Sequence, residues 1–581
     1  MKSNHPILVL LAGMGGLLLT GCGTPGTPAK KPAAVQPAPE FVQPLVGLDD
    51  GLLSEDLADS SVSGAAQVNP EALAHYAAGV SCEWNDEDAK AVQQFYQAAL
   101  DDPDNERLAI KLARRFLKNK QADKALAVLS NSARRPQASA LLLSWFARSE
   151  LAAGRTNQAL ATSRAAIRKA PNALDGYECQ LEVFFHNNQP FEALRTLNQA
   201  AKSVRPDPPS LVALGSLYCL YLKALPDNAA ARAGGIAVLD RAAKMNISSS
   251  HTRQALADAY QQLGGNKKAV DIYLKLLSDA PEPSPLRESL HEKLAGIYFQ
   301  TEDRTNAMKQ LEAIVRDSPT RYPRAWFLLG ELAFADDKLA EAGDDYENAL
   351  HWDPDIEEAY YKLALVHIAL HREDEAFRTV DAARTRFPKT FLGESYTGVV
   401  YLQVKNYATA IRHFNTAEVI ALATEPDSLD YRFYFQLGEA YERNRQFNQA
   451  DASLQKCIKL SPDFGEALNY LGYMLADQGE QLPRARTLIA KAIHLEPTNG
   501  AYLDSMAWVL FKQHNPRQAL PWLLKAVAAS PEPDATILDH LGEVYMALHQ
   551  PAKAVEAWKK SLSIESNPDV KKKLDAVAGG T

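Results

Sequence analysis

The sequence predicts an all-α solenoid of about fourteen stacked helix-turn-helix units, and three regularities predict it. An alanine followed four positions later by a large apolar residue recurs about every 34 residues, from Ala91–Phe95 through Ala342–Tyr346 to Ala554–Trp558; among thirteen such alanines only Ala159, followed by Ser163, breaks the series. Twelve residues ahead of most of these alanines stands Gly or Ala, as at Gly79, Ala113, Gly330, Gly398, Gly438 and Gly542. Units commonly close on proline, as at Pro103, Pro171, Pro354, Pro462 and Pro531. Small residues let two helices approach, large apolar ones fill the space between them, and proline stops the second helix. Each pair leaves an apolar face that only the next pair covers, so the units must stack.

Taken in chain order, residues 1–21 read as a signal segment. Lys2 supplies a positive start, and the apolar run Ile7 to Leu19 is too short to cross a bilayer comfortably. Residues 22–69 are rich in Pro, Ala, Gly, Ser and Thr, with Pro25, Pro28, Pro32, Pro37, Pro39 and Pro44 breaking any helical pattern. They are expected to form a disordered, flexible tether with one apolar stretch, Phe41 to Val46. Residues 70–565 hold the repeating units. The fifth is irregular: after Gly215 and Tyr218 an insertion through Pro226 and Asp227 precedes a second helix expected near Gly235. Residues 566–581, with Lys571, Lys572 and Lys573, are expected to form a polar helix that seals the open end of the stack.

Leu19-Thr20-Gly21-Cys22 resembles the lipobox of bacterial lipoprotein signals at all four positions. That resemblance implies cleavage before Cys22 and acylation of its thiol and new amino group, because several acyl chains anchor stably where one binds reversibly. Gly23, where inner-membrane retention signals usually carry Asp, favours the outer membrane of a Gram-negative envelope.

The repeat resembles the tetratricopeptide repeat over almost the whole mature chain, best in the unit that begins at Pro323, with Trp326, Leu329, Gly330, Ala342, Tyr346, Ala349 and Pro354 in register. The resemblance implies a right-handed superhelix in which positions 2, 5, 9, 12 and 13 of the first helix of each unit line a concave groove. Carried onto this chain, those positions hold Phe327, Phe334, Tyr361, Leu365 and Phe435 in units 8 to 11. Units 12 and 13 add Tyr473, Trp508 and Phe511, with Asp504 as polar punctuation. Apolar residues not needed for stacking would suit an extended or helical peptide.

Asn469 to Asp477, followed by Asn499 to Phe511, is more distinctive than a generic repeat. It is similar to the C-terminal units of bacterial tetratricopeptide lipoproteins, among them adaptors that present substrates to periplasmic carboxyl-terminal processing proteases. Related lipoproteins leave an alternative, a structural or assembly protein for cell-wall, polysaccharide or export machinery. The expected partners are therefore envelope proteins or peptides bound through the groove, and the membrane through the lipid anchor.

Other functions are disfavoured. A net charge of −9 argues against nucleic acid as a partner. The five cysteines contain no CxxC, and no Walker A, GxSxG, HExxH or helix-opening GxGxxG motif is present. The expectation is a non-enzyme without metal or cofactor. Charge is unevenly placed: residues 106–170 hold fourteen Lys/Arg against three acids, and residues 331–381 fifteen acids against four bases. Such separation steers oppositely charged partners.

Overall fold

A computed structural model of the chain describes residues 69–578. The expected signal segment, Cys22 and all of the tether before Asn69 lie outside the described residues. Within them every regular element is helical: 29 α-helices and one 3-10 turn, Pro426–Ser428, with no strand. The helices form fourteen pairs, here called helix A and helix B of each unit. They run from Pro70–Trp84 with Asp88–Asp101 to Ala535–Ala547 with Pro551–Ile564, and a last helix, Pro568–Ala578, follows. This is the α-solenoid that the spacing predicts. None of these helices is long and apolar enough to cross a membrane. Two compact bodies divide at Gln310 and Leu311.

Local signals set each unit. Helix A commonly starts on a side chain that accepts a hydrogen bond from a freed amide. Ser139 Oγ takes the Leu142 N–H at 3.0 Å, and Asp430 Oδ1 takes the Phe433 N–H at 2.9 Å. In every unit but the fifth, helix A is followed by a residue of left-handed conformation, after which the chain reverses. In unit 8 that residue is Asp337 (φ 60°), and the next amide, Lys338 N–H, bonds back to Ala333 O at 2.9 Å. The geometry recurs with residues as different as Lys120, His371 and Arg445, so the turn is imposed by the packing of the two helices more than by glycine.

The small residue of helix A and the large residue of helix B meet directly. A Cβ added to Gly330 would stand 2.7 Å from the Tyr346 ring, and one added to Gly398 would stand 2.9 Å from the Phe414 ring. Tyr346 cannot retreat, because it is fully buried and its hydroxyl donates to Glu331 Oε1 at 2.5 Å. Gly330→Ala should therefore destabilise unit 8. Overpacking costs about 1–3 kcal/mol, against the roughly 1 kcal/mol that alanine returns as helix propensity. Faster amide exchange across residues 323–352 would report it.

Two departures from the expected pattern have local causes. In unit 5 the additional residues do not form a loop. Helix A continues to Ala224 because Leu217, Tyr218, Tyr221 and Leu222 all find buried places, and Pro226 then ends it. Helix B starts at Ala229, ahead of the expected Gly235, capped by Asn228 accepting from Ala231 N–H at 2.9 Å. In unit 12 the turn holds one extra residue, with Gly479 at φ 72° and Gln481 at φ 45°. That residue shifts Gly472 to thirteen positions before Ala485. Cys179, Cys219 and Cys457 are buried and free, and Cys82 is half-buried and free.

Candidate protein-binding face

The groove residues expected from the sequence fall into two groups. Phe327, Phe334, Tyr361, Leu365, Phe435, Asp504 and Trp508 are buried, while Tyr473 and Phe511 are half-exposed. This corrects the expectation that the apolar members are spare to stacking. Phe327 packs on Tyr346 with ring centroids 5.7 Å apart, and Tyr361 stacks on Tyr396 at 5.6 Å. Phe435 meets Phe464 and Tyr470 at 5.4 and 5.5 Å. These side chains fill space within a unit or against the next one, so little of their surface is left for a partner. Cys22 lies outside the described residues.

A second pattern emerges only between units. Position 9 of one helix A meets position 6 of the next. Lys293 Nζ donates to Asp258 Oδ1 at 2.6 Å, and Lys362 Nζ donates to Glu331 Oε2 at 2.9 Å. At the end of the stack Lys573, in the last helix, pairs with Glu543 and with Asp539 at 3.0 Å. The Lys362 rung is the most enclosed, with the lysine only 2% exposed. Burial opposes its charge, but the Tyr396 phenol, Glu331 and Glu358 outweigh burial and hold its pKa above the ordinary lysine value.

Between units 13 and 14 the rung is aromatic. His540, at position 6, stacks on Trp508, at position 9, with centroids 4.0 Å apart and planes 17° apart. Its Nδ1 lies 3.0 Å from both Asp504 oxygens. Burial works against a charge on His540, but the Asp504 carboxylate, with smaller contributions from Asp539 and Glu543, raises its pKa above the ordinary histidine value. The outer side of this platform carries accessible groups. Phe511 stacks on Trp508 at 5.3 Å. Trp508 Nε1 donates to Asp477 Oδ1 at 3.2 Å, and Lys512 Nζ lies 4.9 Å over the indole while donating to Asp477 O at 2.8 Å. Tyr473 stands 6.2 Å from the His540 ring. At the start of helix A in unit 12, Glu466 is pushed up to about 7 by burial and by Glu439 and Glu496.

Tyr473, Asp504, Trp508 and Phe511 are thus brought together around His540, whereas Phe327, Phe334, Tyr361, Leu365 and Phe435 lie in other units. Sequence reading missed His540, Lys512 and Asp477. Lys512 and Asp477 occupy position 13 of their helices and could have been found from the register. His540 occupies position 6, outside the groove positions, and had no such signal. Among the described residues no group of three His, Cys, Asp or Glu side chains is placed to hold a metal ion.

The family model described as tetratricopeptide repeat matches residues 431–464. The human protein O-mannosyl-transferase TMTC3 is 25% identical over 234 residues, which are 38% of this chain and 25% of that protein, so the chain spans about a quarter of the curated relative it matches. Among solved structures, the APC/C hetero-tetramer Cut9-Hcn1 is 14% identical with a TM-score of 0.38, covering 81% of this chain and 96% of that one. Yeast Tom70 is 15% identical with a TM-score of 0.33, covering 82% and 96%. The matched repeat begins at the first residue of helix A in unit 11 and includes its helix B, Phe447–Leu460, and the described residues form a tetratricopeptide-type α-solenoid.

Proposed function

We propose that the chain is a non-enzymatic scaffold that binds proteins or peptides through the helix A face of units 12 to 14. The observation that supports this most is the half-exposed strip of Tyr473, Phe511, Lys512 and Asp477 held on the buried His540–Asp504–Trp508 platform. An aromatic anchor backed by a rigid, desolvated support is the usual composition of an interface hot spot. We further propose, from the lipobox resemblance, that acylated Cys22 holds the scaffold at the bacterial envelope. The similarity of units 12 and 13 to protease adaptors suggests a substrate-presenting role there.

Trp508 is too deeply packed to serve as a clean probe, so the test uses its exposed neighbours. Phe511→Ala combined with Lys512→Glu should weaken partner capture about tenfold or more, the loss typical of a hot-spot anchor. Crosslinking pull-down from native membranes with the full chain would measure it, with circular dichroism showing unchanged helicity. An unchanged partner profile would remove this face from the proposal. Separately, Cys22→Ala should move the protein from the membrane fraction to the soluble fraction; retention on the membrane would sink the anchor.

A further inference from the structure

Helix B of each unit leads through a turn to the next helix A, and in units 2 to 5 these turns are basic. The ninth and tenth residues after the small residue of helix B (Ala125, Ala159, Ala193 or Gly235) are Arg134 and Arg135, Arg168 and Lys169, Lys202 and Ser203, and Lys244 and Met245. Six of these eight are bases. At the same two positions units 10 to 14 carry one base, Lys459, among ten residues. A base in the last turn of a helix answers its dipole, but those units close their helices almost without one. The repeat register therefore does not require the basic row.

The four turns are joined into one edge. Arg135 pairs with Asp104 of the preceding turn, and Lys169 Nζ donates to Pro136 O at 2.7 Å. The Arg205 N–H donates to Asn172 O at 3.0 Å, and the Arg241 guanidinium to Ala201 O at 2.6 Å. Each bond crosses from one unit to the unit before it. Lys169 and Arg241 donate to neutral carbonyls and keep their full charge. Arg134, Arg168 and Lys202 are exposed and have no ion-pair partner among the described residues. Lys244 is exposed beside Asp240, whose carboxylate already accepts from Tyr260 and Lys268 at 2.7 and 2.5 Å. Among the described residues no large apolar side chain is exposed in these turns, so a partner is met by charge alone and not by insertion or stacking. The cations are spread over four units and do not converge on one point, which fits a layer of separate anionic groups better than one small anion. These are also among the units closest in sequence to Cys22. We propose that the turn edge of units 2 to 5 rests on an anionic lipid surface, with its lysines and arginines against headgroup phosphates. The proposal is independent of the C-terminal face and does not require acylation of Cys22.

The test asks which edge of the full chain touches headgroups. A fluorophore is placed at Asn172→Cys, on the basic edge, or at Asn157→Cys, at the other end of the same helix B, in a Cys82→Ser background. Both asparagines are exposed, and the helix between them, Thr156–Lys169, separates them by roughly 20 Å. Contact quenching by nitroxide-headgroup lipid is then read on phosphatidylglycerol–phosphatidylcholine vesicles and on phosphatidylcholine vesicles. Quenching at Asn172→Cys should rise on the anionic vesicles, and the rise should be lost in about 1 M salt, where the Debye length is about 3 Å. Asn157→Cys should show no such rise. Arg134→Glu, Arg168→Glu, Lys202→Glu and Lys244→Glu together should abolish it, with helicity by circular dichroism unchanged. A chain that stays off anionic vesicles would overturn the proposal. So would equal quenching at the two sites, or a rise that survives the four reversals. Displacement by a soluble polyuronate, at a carboxylate concentration below that of the lipid phosphate, would reassign the edge to an acidic glycan. Loss of membrane retention in Cys22→Ala bears on the anchor alone, so the two readings fail separately.

Discussion

Lys362→Ala is expected to destabilise units 8 and 9 by about 3–5 kcal/mol, the cost of leaving one member of a buried ion pair without its partner. The lysine is enclosed, and Glu331 accepts from both Lys362 and Tyr346. Removing the cation strands a carboxylate that solvent cannot reach easily. Because each unit contacts only its neighbours, the damage should stay local. Amide exchange should rise across residues 323–386 while residues 535–564 keep the protection of the parent chain. Changing both partners together, Glu331→Gln with Lys362→Met, should restore most of the loss, since the desolvation cost of the two charges disappears with their attraction. A single-variant cost below about 1 kcal/mol would place the pair among the weak, solvent-screened bridges.

Asp504→Asn is the second large effect, and its size depends on pH. Asp504 raises the His540 pKa above the roughly 6.5 of an unfolded chain. A group whose pKa is raised on folding stabilises fully below its unfolded value, and that contribution is lost as pH rises through the folded value. The C-terminal units should therefore be most stable on the acid side of the His540 titration. Asp504→Asn should cost about 3 kcal/mol there, as for a broken buried pair, and progressively less at higher pH, where His540 is neutral in both proteins. Without the Asp504 carboxylate, burial lowers the His540 pKa against only the weaker pull of Asp539 and Glu543, so the variant's His540 should titrate below that of the parent. Denaturation of both proteins across pH 5–9, with the His540 ring followed by NMR, would check the sign and the crossover. A cost independent of pH would show that the pair is not charged. The same variant should loosen the platform beneath Phe511 and weaken partner capture most where it destabilises most.

The helix pair was legible in the sequence because its contacts are short in range. Gly330 and Tyr346 stand sixteen residues apart, and one turn, fixed by Asp337, brings them together. A spacing repeated along the chain therefore defines helix, turn and core, and the fourteen pairs follow. The accessible surface was less legible. Phe327, Tyr361 and Trp508 occupy positions that the repeat register assigns to a groove, yet their exposure depends on what the same or the next unit puts against them. His540 reaches Asp504 across 36 residues, and Lys362 reaches Glu331 across 31. Such distances are set by how adjacent units pack, which no single-unit pattern contains.

The sequence by itself determined the repeating helix pair, its register and the uneven charge along the chain, because these depend on composition and on contacts within one turn. Only the tertiary structure decided which apolar residues are consumed in stacking, how unit 5 absorbs its additional residues, and that His540 completes the site of Asp504 and Trp508. The reason is physical: burial and the pairing of buried charges are properties of the neighbours that the stack supplies, and those neighbours come from a different unit.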